Sequence, residues 1–265
     1  MRARNFALIL ILAAAVAATT GARVKPVPKP DVVLGIFGGM GPEATADCYR
    51  KIVAATPARR DQDHIPTLIY SLPQVPDRTT AIRTGDRGIV RWLVEGVTRL
   101  EKAGASFIVI PCNTAHFFYD DMKKAVKIPI VHMIRETVAE TVRRHPEAKR
   151  VGLLATSGTI ATGLYEREFA ARGVETVTPD AEVQENSVME AIRAIKAGEE
   201  KQRAEDLLAG AADHLVEKGA QVIVLGCTET PLAFNPGRAK APVVDATRVL
   251  AQAAVDKYRE MAAEH

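Results

Sequence analysis

The sequence lacks a surplus of either charge. Its 35 lysines and arginines stand against 32 aspartates and glutamates, a formal net charge of +3. No basic stripe with interleaved aromatics runs through it, and aromatic residues make up only 5% of the chain. Nucleic-acid binding therefore finds no support. A hydrophobic run long enough to cross a membrane is also missing. The longest, Phe6 to Ala18, has about 13 residues where a spanning helix needs about 20. With Arg2 and Arg4 before it and Thr19, Thr20, Gly21 and Ala22 after it, this run reads as a signal peptide over residues 1–22. The expected location is outside the cytoplasm, in the periplasm, without stable membrane insertion. Arg2 and Arg4 are not adjacent, which excludes a twin-arginine signal, and no cysteine follows to carry a lipid. Residues 23–30 alternate proline with other residues and form a spacer. Cysteine is scarce as well. In an exported protein Cys48, Cys112 and Cys227 would usually suggest one disulfide and an odd thiol, but the settings of Cys112 and Cys227 argue for something else.

What is present is an alternation of strand and helix patterns, which predicts parallel βαβ units. Strands are expected at Val32 to Phe37, Thr67 to Tyr70, Phe107 to Ile110 and Ile128 to Val131, with a helix over Ile89 to Ala103. The second half repeats the plan. Strands are expected at Val151 to Leu154, Val222 to Leu225 and Ala241 to Val244, with a helix over Ala204 to Lys218. The spacing agrees too: Gly35 to Cys112 is 77 positions and Gly152 to Cys227 is 75. An internal duplication follows. The predicted fold class is α/β, with two similar Rossmann-like domains carrying parallel sheets, related by a pseudo-twofold axis, and an active site in the cleft between them. Residues 31–131 together with a C-terminal helix at 246–265 make the first domain, and 132–245 the second.

Active groups in open parallel sheets sit beyond the carboxyl ends of strands. Cys112, in Pro111-Cys112-Asn113-Thr114, and Cys227, in Gly226-Cys227-Thr228-Glu229, both occupy such ends. Two like domains would put one thiol on either side of a shared cleft. A thiol and a thiolate facing one carbon can give and take a proton from opposite sides. Asn113, Thr114 and Thr228 offer donors for a carboxylate beside them. Other readings of the cysteines stay open: buried apolar side chains, a disulfide in an oxidising compartment, or a zinc site using Cys112, His116 and Cys227, for which a fourth ligand is missing. Cys48, on the first helix, is expected to be structural. The turn Gly38-Gly39-Met40-Gly41 lacks the Lys-Ser/Thr of a phosphate loop and the spacing of a dinucleotide fingerprint. It suits close backbone approach to a small carboxylate instead.

Three segments resemble the aspartate/glutamate racemase family: Gly38 to Thr45, Pro111 to His116 and Gly226 to Glu229. The similarity runs from Val32 to the C-terminus and is closest to aspartate racemase. It implies two α/β domains, a homodimer, and no pyridoxal phosphate, other cofactor or metal. It makes Cys112 and Cys227 the acid/base pair. Asn113, Thr114, Thr156, Thr159 and Thr228 would hold the α-carboxylate and amino group, with Met40 and Glu229 also at the substrate. Pro76-Asp77-Arg78 and Ile195-Lys196-Ala197-Gly198 resemble segments that bring Arg78 and Lys196 to a side-chain carboxylate. Two departures turn weight from glutamate: Phe37-Gly38 stands where glutamate racemases have an acidic residue before the glycines, and Glu229 stands where they have histidine. Export is a third departure from the family's usual cytoplasmic setting.

The expected function is cofactor-independent amino-acid racemisation, with aspartate as substrate. One alternative is a related diacid or hydantoin isomerase or decarboxylase, although relatives that decarboxylate tend to keep one cysteine. Another is an exported amino-acid-binding protein without catalysis, which has no need of paired thiols. Exchange of the α-proton separates the racemase from both.

Overall fold

The computed structural model describes residues 31–199 and 201–264. The expected signal peptide and spacer lie outside them.

In chain order the elements are β1 (Leu34–Gly38), α1 (Pro42–Ala55), β2 (Thr67–Ser71), α2 (Arg78–Thr84), α3 (Val90–Lys102), β3 (Phe107–Val109), α4 (Tyr119–Ala125) and α5 (Met133–Arg144). Then come β4 (Arg150–Leu154), α6 (Ser157–Ala161), α7 (Leu164–Ala170) and β5 (Glu175–Val177). A π-helical segment, Gln184–Met189, leads into α8 (Glu190–Ala197). The chain ends with α9 (Lys201–Glu217), β6 (Val222–Leu225), β7 (Val243–Asp245) and α10 (Ala246–Ala262).

Two parallel sheets form, in the orders β2-β1-β3 and β5-β4-β6-β7. The first strand of each half lies between the second and third, so the same reversal of strand order occurs twice. That reversal opens a crevice above the carboxyl ends of β1 and β3 in one half, and of β4 and β6 in the other. Strands β1, β3 and β6 are buried throughout because helices cover both faces. Phe37, Leu93, Val97 and Ile108 pack one face of the first sheet against α3. Leu34, Ile36 and Val109 pack the other against Ile52 of α1 and Leu250 and Ala254 of α10. The C-terminal helix thus leaves the second sheet to cover the first.

The strand expected at Ile128 to Val131 is reduced to a single bridge, Ile130 to Ile108. The Ile108 N–H bonds the Pro129 carbonyl and the Val131 N–H bonds the Ile108 carbonyl, both at 2.9 Å. Pro129 has no N–H to carry the ladder further back. Immediately beyond, His132 caps α5 by accepting the Arg135 N–H and turns the chain away. In the second half Asp245 both closes β7 and caps α10, accepting the Thr247 and Arg248 N–H groups. Among the described residues, no helix is long and apolar enough to cross a membrane.

Candidate active site

Cys112 and Cys227 both line one cavity of about 470 Å³. Each thiol is nearly sealed from bulk solvent. The two arrive from opposite sheets, Cys112 just beyond β3 and Cys227 just beyond β6, and neither is in a disulfide. Cys48 is elsewhere. It lies on the buried face of α1, and burial pushes its thiol up to about 12.

His116 fixes the loop beneath Cys112. Its Nδ1 bonds the Cys112 carbonyl at 2.8 Å and its Nε2 accepts the Met133 N–H at 3.1 Å. Burial pushes this imidazole down to about 3, so it is neutral. Both ring nitrogens are spent on backbone, which removes His116 from any zinc set. Among the described residues no cluster of three metal-ligating side chains forms.

Asn113 is buried at the cavity wall. Its Oδ1 accepts the Tyr165 hydroxyl at 2.7 Å, which orients the amide, while its Nδ2 has no partner. A buried amide donor left free in this way is costly unless a ligand meets it. Three hydroxyls stand close by. Thr114 from the first half lies 3.0 Å from Thr156 and 2.8 Å from Thr159, and those two are 3.0 Å apart. Thr114 and Thr156 face the cavity; Thr159 closes the triangle from behind and is not part of the wall. Expected as a direct contact, Thr159 instead orients the other two hydroxyls.

The cavity wall also carries charge. Met40, Asp77, Arg78, Lys196, Thr228 and Glu229 are part of it. Arg78 is held by the carbonyls of Val75, Pro76 and Met40 at 3.2, 3.1 and 3.3 Å, and its Nε is buried without a partner. Among the described residues it meets no carboxylate. Glu229, by contrast, is fully engaged. Its Oε1 accepts the Lys196 ammonium at 2.8 Å and the Gly41 N–H at 3.0 Å. Its Oε2 accepts the Cys227 thiol at 3.1 Å. Burial, then the neighbouring Glu229 charge, push the Cys227 thiol well above the ordinary range. For Lys196, burial works against the charge but Glu229 outweighs it and holds the ammonium above its ordinary value.

The glycine turn behaves differently from the sequence expectation. Gly39 takes φ +93°, and a Cβ there would lie 2.3 Å from the Leu72 nitrogen, so only glycine fits. The carboxylate this turn approaches is that of Glu229, through the Gly41 N–H.

Sequence reading missed one wall. The π-helical segment and α8 bring Glu185, Met189 and Arg193 to the cavity rim. Glu185 accepts the Ser157 hydroxyl at 2.7 Å and pairs with Arg193. A π turn is set by packing and leaves no periodic sequence signal.

The model of one protein family, Asp/Glu/Hydantoin racemase, matches residues 37–254. The chain is 29% identical over 230 residues to the "Broad specificity amino-acid racemase RacX" of Bacillus subtilis, covering 85% of this chain and 98% of that one. It is 30% identical over 223 residues to the glutamate racemase of Corynebacterium glutamicum, covering 78% and 70%. Among solved structures, the aspartate racemase of Picrophilus torridus superposes with a TM-score of 0.76 at 29% identity, covering 86% of this chain and 94% of that one.

Proposed function

The chain belongs to the Asp/Glu/hydantoin racemase family, and from that premise we propose that it is a cofactor-independent racemase of acidic amino acids, with aspartate the preferred substrate. The observation that carries the reading is the pair of buried thiols, Cys112 and Cys227, delivered to one cavity from equivalent ends of two like sheets.

In this reading a thiolate on one side takes the α-proton and a thiol on the other returns one to the opposite face. The roles exchange when the mirror-image substrate binds. Racemisation needs the α-carboxylate held still while negative charge develops beside it. The free Asn113 Nδ2 and the Thr114 and Thr156 hydroxyls supply donors for it. Arg78 is in no ion pair among the described residues, and around the whole wall Arg78, Arg83, Arg193 and Lys196 outnumber Asp77, Glu185 and Glu229 by one, a surplus of positive charge. That surplus supports a substrate with a second carboxylate. The likeness to the aspartate racemase of Picrophilus torridus supports aspartate, and the likeness to RacX supports a wider range around it.

The test is proton NMR of L-aspartate in deuterated water with reductant and no added cofactor. Loss of the α-proton signal together with loss of optical rotation is expected. Cys112→Ala and Cys227→Ala should each abolish racemisation, and full activity in either would end the two-thiol scheme. Tight aspartate binding without exchange would favour a binding protein instead. Export and assembly into a homodimer belong to the same proposal. Fractionation of expressing cells and light scattering of the mature protein check them.

A further inference from the structure

We propose that Lys196, Glu229 and Cys227 form a relay that couples recognition of the substrate's side-chain carboxylate to formation of the Cys227 thiolate; this rests on the racemase reading above. The geometry is a three-member chain. Lys196 Nζ lies 2.8 Å from Glu229 Oε1, and the Cys227 thiol lies 3.1 Å from Glu229 Oε2. One carboxylate therefore faces a cation on one oxygen and a proton donor on the other.

Cys227 as it stands is a poor base. It is buried beside an anion, and both conditions favour the thiol. It can ionise by passing its proton to Glu229: the Sγ–H bond breaks, an Oε2–H bond forms, and the negative charge moves from carboxylate to sulfur. No net charge is created. While paired with Glu229, Lys196 opposes this transfer, because its ammonium stabilises the negative charge on the carboxylate.

A diacid changes that balance. Lys196 sits in the last turn of α8 on a long side chain that is 37% exposed, and Glu229 is its one hydrogen-bond partner among the described residues. It also lines the cavity with Asp77 and with Arg78, which is in no ion pair among the described residues. A side-chain carboxylate arriving there competes with Glu229 for the ammonium. As Lys196 turns to the substrate, Glu229 loses its counter-charge, becomes the stronger base, and draws the proton from Cys227. The thiolate then forms with a diacid in place. A neutral side chain leaves Lys196 on Glu229 and the thiol protonated. Gly41 holds Glu229 in position throughout, through its N–H at 3.0 Å. Lys196 thus acts on turnover as well as on binding, and specificity is expressed in kcat.

The experiment compares aspartate with asparagine, its neutral isostere, in α-proton exchange at saturating concentration. It uses the wild-type protein, Lys196→Gln and Glu229→Gln, each checked for folding by circular dichroism. In the wild type, kcat for aspartate is expected to exceed kcat for asparagine at least tenfold. In both variants that ratio should fall close to one. Glu229→Gln should lose kcat with KM for aspartate nearly unchanged, since glutamine can accept a hydrogen bond but cannot take the proton. Equal wild-type kcat values overturn the relay, as does a ratio that survives in either variant. Exchange with no amino acid at all overturns the racemase reading and the relay with it.

Discussion

One methyl group added at Gly158 should disturb the threonine cluster of the site. Gly158 is buried on α6 and packs directly against Thr79 on α2, which lines the cavity. A Cβ on Gly158 would stand 2.6 Å from Thr79 Oγ1 and 2.8 Å from Thr79 Cα. The hydroxyl can rotate away, but the Cα cannot. Ordinary contact begins at 3.4 Å, so the two helices must part by roughly 0.6 Å, the difference between 3.4 and 2.8 Å. Helix α6 carries Thr159 and is capped by Thr156, so both move with it. Their distances to Thr114, now 2.8 and 3.0 Å, would lengthen toward about 3.5 Å, where a hydrogen bond no longer forms. Overpacking of this kind costs about 1–3 kcal/mol, and small misplacements of positioning groups cost up to about 100-fold in rate. Gly158→Ala is therefore expected to lower kcat/KM for aspartate by roughly 10- to 100-fold and Tm by several degrees. The assays are α-proton exchange and thermal melting. Thr79→Ala added to Gly158→Ala should recover only part of the loss, because the Thr79 Cα remains. Wild-type kcat/KM in Gly158→Ala would refute the argument. Full recovery in the double variant would show that the hydroxyl alone sets the spacing.

Further outcomes are expected. Tyr165→Phe leaves the buried Asn113 Oδ1 without its donor; about 1–3 kcal/mol of stability should be lost, read by urea denaturation, and KM for aspartate should rise several-fold as the amide loosens. His116 is neutral in the fold, pushed down from 6.5 to about 3, while the unfolded chain binds a proton near 6.5. Its contribution to stability is thus fully present above about pH 6.5 and is lost as pH falls toward 3. Denaturation midpoints between pH 7 and 4 should decline less steeply in His116→Gln than in the wild type. Cys48, pushed up to about 12 and fully buried, should resist alkylation in the folded protein, and Cys48→Ala should keep full exchange activity.

Much of this protein was legible before any coordinates. Strand-length apolar runs, glycine turns and the matched settings of Cys112 and Cys227 announced two parallel α/β halves, because burial on both faces of a sheet demands runs of Val, Ile and Leu. Arg78 and Lys196, far apart in sequence, were picked out by their motif segments, and both line the cavity. Other features were illegible. The bridge that replaces the strand at Ile130 depends on where Pro129 falls in a ladder, and the π-helical wall depends on packing that has no period. The resemblance makes Thr159 a substrate contact alongside Thr156, yet the helical turn sets it behind the wall.

Local sequence determined which groups this chain can offer: two thiols at strand ends, hydroxyls at helix starts, cations on short helices. Only the tertiary structure decided their company. Glu229 meets Gly41 across 188 positions and Lys196 across 33, and the Tyr165 hydroxyl reaches Asn113 across 52. Pairings at such separations are fixed by how two sheets and their helices close on each other, because a charge or a buried donor takes its properties from whatever the fold sets within about 3 Å of it.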